Sequence, residues 1–184
     1  MLYIVTALKP EAQAFVDKYK LRKSKLGEFS LFSNSKMMLI ISGVGVKKAA
    51  MATQTLINHF DITDDDVYIN VGICGSSRDY EIGELIEIGE IKYQHEVKQL
   101  QNATQNSIRC LDLEADNSED SIVDMESYGF YDAVFHSPAI KNVYILKVVS
   151  DHFEPHKVTK DTTKSLVFNV IDDINIIIKK EGAE

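Results

Sequence analysis

Apolar residues come along this chain in short strand-like runs separated by stretches with helical spacing. Leu2-Tyr3-Ile4-Val5-Thr6-Ala7 is an unbroken run that predicts a buried strand. Pro10 suits the first turn of the helix that follows, and Ala14, Phe15 and Tyr19 continue it. Residues 29–32 and 37–42 read as two strands around the polar turn Ser33-Asn34-Ser35-Lys36, and 47–60 has the composition of a helix. A strand is predicted over 67–71, extended structure with a bulge at a glycine over 82–91, and a polar loop over 99–107. A short strand over 108–113, an acidic turn over 114–120, a helix over 126–135 and a β-branched strand over 143–149 follow. Leu166, Val167, Val170, Ile171, Ile174, Ile177 and Ile178 then repeat along one helical face. Strands alternating with helices predict an α/β fold: three layers, a central mixed twisted sheet flanked by helices.

Two of the apolar runs stop at acids. Ile122-Val123-Asp124-Met125-Glu126-Ser127 breaks up at Glu126, and Leu146-Lys147-Val148-Val149-Ser150-Asp151 ends at Asp151. Ligands of open α/β sheets bind at the C-terminal edge of the strands, where such carboxylates are presented. There they can serve as proton donor and cation stabiliser. With 28 Asp and Glu in the chain, solvated loop acids are the competing explanation. A helix N-cap is a second one for Asp151, and a first-turn helix glutamate for Glu126. Gly43-Val44-Gly45 and Gly72-Ile73-Cys74-Gly75 also follow strands, and glycine there lets backbone approach a ligand closely; a tight turn accounts for either loop alone.

Composition narrows the function classes. The chain has 184 residues, 45% hydrophobic and 26% charged, which fits one soluble domain spanning 1–184. A net charge of −8 leaves no basic surplus for a general nucleic-acid partner. No run reaches the length of a membrane span, and no signal peptide is read at the start. Cys74 and Cys110 suit neither a disulfide scaffold nor a zinc site, and the five histidines form no metal motif. A cytoplasmic location and no metal or organic cofactor are therefore expected.

The segments Thr6-Ala7-Leu8-Lys9-Pro10-Glu11, Ser42-Gly43-Val44-Gly45, Asn70-Val71-Gly72-Ile73-Cys74-Gly75, Val123-Asp124-Met125-Glu126-Ser127 and Val148-Val149-Ser150-Asp151 together carry a resemblance. In this order they resemble the purine nucleoside phosphorylase and nucleosidase superfamily, and within it the methylthioadenosine/S-adenosylhomocysteine nucleosidases. The resemblance implies an N-ribosyl hydrolase acting on a purine nucleoside or a 5′-modified relative, assembled as a homodimer. It implies Asp151 as the leaving-group acid, Glu126 as the ribose anchor and Glu11 as the base for water. Met125 would line the ribose and base pocket and Ser150 would orient Asp151. The glycine loops (Gly43, Val44, Gly45 and Gly72, Ile73, Gly75), Lys147 and Phe153 would complete the substrate site.

The sequence departs from that pattern in three places. The stretch 90–121 is short and offers no evident aromatic residue for the base. Lys147 stands where these nucleosidases carry arginine, and lysine lacks the planar fork. Ile73 stands in place of a small hydroxyl residue that would hold water or phosphate. Two alternatives therefore remain open: a phosphate-dependent nucleoside phosphorylase, and a nucleoside-binding protein of the same fold without turnover.

Overall fold

The predicted strands pair into one mixed sheet of eleven. The computed structural model describes residues 1–101 and 104–180. In chain order the elements are β1 (Leu2–Thr6), α1 (Lys9–Tyr19), β2 (Arg22–Leu26), β3 (Phe29–Ser33), β4 (Met37–Ile41), α2 (Val46–His59) and β5 (Val67–Ser76). Then come β6 (Leu85–Glu87), β7 (Glu90–Tyr93), β8 (Glu96–Gln99), β9 (Ser107–Cys110) and β10 (Ile122–Asp124). The chain closes with α3 (Ser127–Phe135), β11 (Asn142–Asp151), a short 3-10 turn (Pro155–Lys157) and α4 (Lys160–Lys180).

Helices cover both faces of the sheet. Ile4, Leu39, Ile69, Val71, Leu146 and Val148 point to the side where α1 and α4 pack, meeting Phe15, Val167 and Ile171. Val5, Ile40, Tyr68, Ile145 and Val149 point to the other side, meeting Ala52 and Leu56 of α2 and Phe130 and Val134 of α3. The apolar stripe expected along the last helix is thus a buried face. Each such Leu, Ile or Phe contributes roughly 1.5–3 kcal/mol of burial.

β5 decides where a ligand can enter. One of its edges pairs in parallel with β11 from Val67 to Gly75. The other edge pairs in parallel with β1 as far as Asn70, then antiparallel with β10 from Gly75. Residues 71–74 therefore face no strand on that edge. The sheet opens there, beside the C-terminal tips of β1 and β11, a topological position where ligands of α/β sheets bind.

Two strands carry no apolar alternation and were not expected. β2 reads Arg-Lys-Ser-Lys-Leu and β8 reads Glu-Val-Lys-Gln, and they form the two ends of the sheet path. Charged side chains are tolerated there because an edge strand is half solvated, and they discourage pairing with other chains. Strand β8 and the start of β9 narrow the loop expected over 99–107, and its residues 102 and 103 lie outside the described residues. Helix α4 begins at Lys160, ahead of its apolar repeat, with the Thr162 backbone N–H bonded to Thr159 Oγ1 at 3.2 Å. Gly129 lies inside α3, where a Cβ would stand 1.9 Å from the Val46 carbonyl oxygen, so its absence sets how closely α2 and α3 approach.

Candidate active site

A cavity of about 340 Å³ occupies the opening beside β5. Glu11, Val44, Ile73, Gly75, Met125, Glu126, Ser150 and Asp151 all line it. Residues distant in sequence thus converge on one space. Gly43, Gly45, Gly72, Lys147 and Phe153 are not among the lining residues; Gly45, Gly72, Lys147 and Phe153 stand directly behind lining groups.

Glu11 sits in the first turn of α1 and turns back on the loop that precedes it. Its Oε2 accepts the N–H groups of Ala7 (3.0 Å) and Leu8 (2.8 Å), and its Oε1 accepts that of Ile73 (3.0 Å). Ile73 has this N–H free because β1 has ended and β10 has not begun. Burial raises the Glu11 pKa, against the three N–H bonds and the nearby Lys147. A carboxyl held this way is more basic than a surface glutamate, which suits a proton acceptor near neutrality. A Cβ at Gly72 would press to 3.1 Å from Glu11 Oε1 and 3.5 Å from Lys147 Nζ, so glycine there allows the carboxylate to sit against the strand.

Glu126 stands at the start of α3, and its Oε1 accepts the Gly45 N–H at 2.9 Å. Gly45, at φ 110°, adopts a conformation that side chains disfavour, and α2 starts immediately after it. Burial first, then the charge of Asp124, pushes the Glu126 pKa up to about 7, against Lys147 and the Gly45 N–H.

Asp151 ends β11. Its Oδ2 lies 2.7 Å from Ser150 Oγ and its Oδ1 accepts the Glu154 N–H at 2.7 Å. Phe153, at φ 57°, turns the backbone that returns Glu154 to the carboxylate, and its ring comes within 3.5 Å of where a Gly75 Cβ would be. Phe153 thus packs behind Gly75. Ser150 Oγ also lies 3.0 Å from the Cys74 carbonyl oxygen. One hydroxyl proton therefore serves two acceptors.

Asp124 also lines the cavity, and Lys147 stands behind it. Lys147 is fully buried, with Nζ 2.8 Å from Asp124 Oδ2 and 2.7 Å from Asn70 Oδ1. Burial alone would lower its pKa, but Asp124, Glu126 and Glu11 outweigh that and raise it. Asp124 also accepts the Ser127 hydroxyl (2.6 Å) and the Ser127 N–H (2.9 Å), which ties the first turn of α3 to β10. Asp124 was not singled out from the sequence. Its signal was an acid inside the apolar run Ile122-Val123, matched by a lysine inside the β-branched strand at 147: buried charges of opposite sign seek each other.

No aromatic residue is among the lining residues, and aliphatic ones are. Leu111, Leu113 and Ala115, from the connection between β9 and β10, line the cavity, as do Val158 and Thr163 near the start of α4. Cys74 also lines it, but burial pushes its thiol pKa well up, so it is a packing residue. Among the described residues no group of three or more His, Cys, Asp or Glu is arranged to hold a metal ion, and no helix is long and apolar enough to cross a membrane.

No protein-family profile matches the chain, and no curated protein sequence does. Solved structures do match. The 5′-methylthioadenosine/S-adenosylhomocysteine nucleosidase of Neisseria meningitidis, in complex with methylthio-immucillin-A, superposes with a TM-score of 0.70 at 17% identity, covering 94% of this chain and 98% of that one. The S. pneumoniae enzyme with the transition-state inhibitor MT-ImmA gives 0.75 at 16% identity, covering 97% and 98%. The Arabidopsis thaliana 5′-methylthioadenosine nucleosidase, in apo form, gives 0.73 at 18%, covering 95% of each chain. The chain therefore has the fold that these nucleosidases share.

Proposed function

We propose that the protein is an N-ribosyl hydrolase that cleaves purine nucleosides or their 5′-modified relatives. The observation that carries this reading is the convergence of three buried carboxyl groups, Glu11, Glu126 and Asp151, on one cavity from three separate elements. Cleaving the ribose–base bond moves electrons onto the base and leaves positive charge on the sugar. Asp151 supplies a proton or hydrogen bond to the base, and the Ser150 hydroxyl then turns from Cys74 to the new anion. Glu126 accepts the ribose hydroxyls and stabilises the cation-like sugar. Glu11 takes a proton from water as the water oxygen bonds to the anomeric carbon, giving free base and free sugar. The folds shared with enzymes solved around nucleoside-like inhibitors support this reading.

Water is favoured over phosphate by the lining of the cavity. Ile73 offers an aliphatic side chain there, and no arginine is among the lining residues. A nucleoside panel tests the reading: adenosine, inosine, methylthioadenosine, S-adenosylhomocysteine and futalosine-type compounds, each with and without phosphate, separated by chromatography. Release of base and free sugar at a rate indifferent to phosphate is expected. Strict phosphate dependence would make the protein a phosphorylase, and binding without release at stoichiometric enzyme would make it a nucleoside-binding protein. The homodimer is likewise a proposal; exposed Val44, Met51 and Phe135 are apolar side chains available to it.

A further inference from the structure

Of the buried acids around this cavity, Asp124, Glu126 and Glu11 share one buried cation, Lys147. Glu126 is faced by Asp124 from β10, by Lys147 from β11, by Glu11 from α1 and by the Gly45 N–H at the start of α2. The four charged groups have unequal partners. Asp124 takes Lys147 at 2.8 Å together with both Ser127 donors. Glu11 takes three backbone N–H groups. Among the described residues, Glu126 receives one hydrogen bond at its carboxyl group, from the Gly45 N–H. Lys147 makes its other hydrogen bond to Asn70. Of the three acids, Glu126 is therefore the one whose anion is least compensated before a ligand arrives, while a ribose diol brings two O–H donors to it.

We infer that Asp124 and Lys147 are positioning residues for Glu126: with Lys147 paired to Asp124 and offsetting only part of the negative charge around it, Glu126 holds a proton, which it releases to solvent when a ribose diol binds. The inference rests on the nucleosidase reading for its ligand but not for the state of Glu126 itself. It makes ligand affinity depend on pH. A ligand that needs the ionised Glu126 binds about tenfold more weakly for each pH unit below the Glu126 midpoint and reaches a plateau above it.

Two measurements on the full chain test this. The first is a carboxyl ¹³C NMR titration of glutamate-labelled protein, with the Glu126 signal assigned by its loss in Glu126→Gln. A midpoint near 7, well above that of the surface glutamates, is expected. Lys147→Met should move that midpoint up and Asp124→Asn should move it down, by one pH unit or more each. A purely structural role would not give opposite shifts, and if Lys147→Met does not fold, Asp124→Asn still reports. The second is calorimetry in two buffers of different ionisation enthalpy, using an adenine-like C-nucleoside whose carbon–carbon bond cannot be cleaved, and adenine alone. Close to one proton released per nucleoside at pH 6, falling toward zero at pH 8, and none with adenine, is the expected result. A Glu126 that titrates with the surface glutamates, or nucleoside binding without proton release, overturns the inference. If neither nucleoside nor adenine binds, the nucleosidase reading falls, and the carboxyl titration still decides the inference.

Discussion

At the scale of single residues, the three proposed acids differ in what holds them. Asp151 is fixed by one hydroxyl and one backbone N–H, which leaves each of its oxygens a lone pair for a ligand. Asp151→Asn keeps the shape and removes the transferable proton. It should lower base release by roughly 10²–10⁴-fold while adenine still binds, as kinetics and calorimetry would show. An unaffected rate would take Asp151 out of the leaving-group role. Glu11 and Glu126 were readable from the sequence as acids near strand ends; their donors were not. Ala7 and Leu8, which donate to Glu11, are its near neighbours, but the Ile73 N–H that completes its set and the Gly45 N–H that reaches Glu126 are remote in sequence. Asp124 and Lys147 show the same limit: each was visible as a charge inside an apolar run, but their pairing at 2.8 Å exists only because β10 and β11 meet the same stretch of β5.

At the scale of elements, helix α3 reads from sequence as a helix interrupted by a glycine, and the structure gives that glycine a task. Gly129 lets the first turn of α2 lie against α3, and the residue before that turn is Gly45, the donor to Glu126. Gly129→Ala places a methyl group within 1.9 Å of the Val46 carbonyl oxygen, so the helices must separate. Overpacking of this kind costs about 1–3 kcal/mol or more, a fall in Tm of roughly 3–10 °C for a chain of this size. Thermal unfolding would measure it. The Gly45 amide signal should also shift in the NMR spectrum as its bond to Glu126 lengthens; an unchanged Tm and spectrum would mean that α2 and α3 have slack at this contact. Strands β2 and β8 escaped the sequence pattern because period-two alternation arises only where one face is buried, and Arg22 to Lys25 bury neither.

At the scale of the whole molecule, the site opposes stability. The Glu126 pKa stands at about 7 in the fold against 4.5 for an ordinary glutamate, so the folded state binds the proton more tightly than the unfolded chain. Stability from this group is complete below about pH 4.5 and is lost as pH rises through about 7. Glu126→Gln, which has no charge to bury, should therefore raise the unfolding free energy at pH 8 by up to about 3 kcal/mol, leave it unchanged near pH 4, and abolish most base release. Denaturant unfolding at the two pH values checks the sign, and equal effects at both would show that Glu126 titrates in the fold as it does in the unfolded chain. The sequence by itself determined the layered α/β architecture, because apolar period and run length are local properties that each segment carries wherever it folds. It also marked the acids at the strand tips. Only the tertiary structure decided which carboxyl holds a proton, which lysine partners which acid and where the sheet opens. Those depend on distances between segments far apart in the chain, and an electrostatic interaction between buried groups is set by such distances and by the water excluded around them.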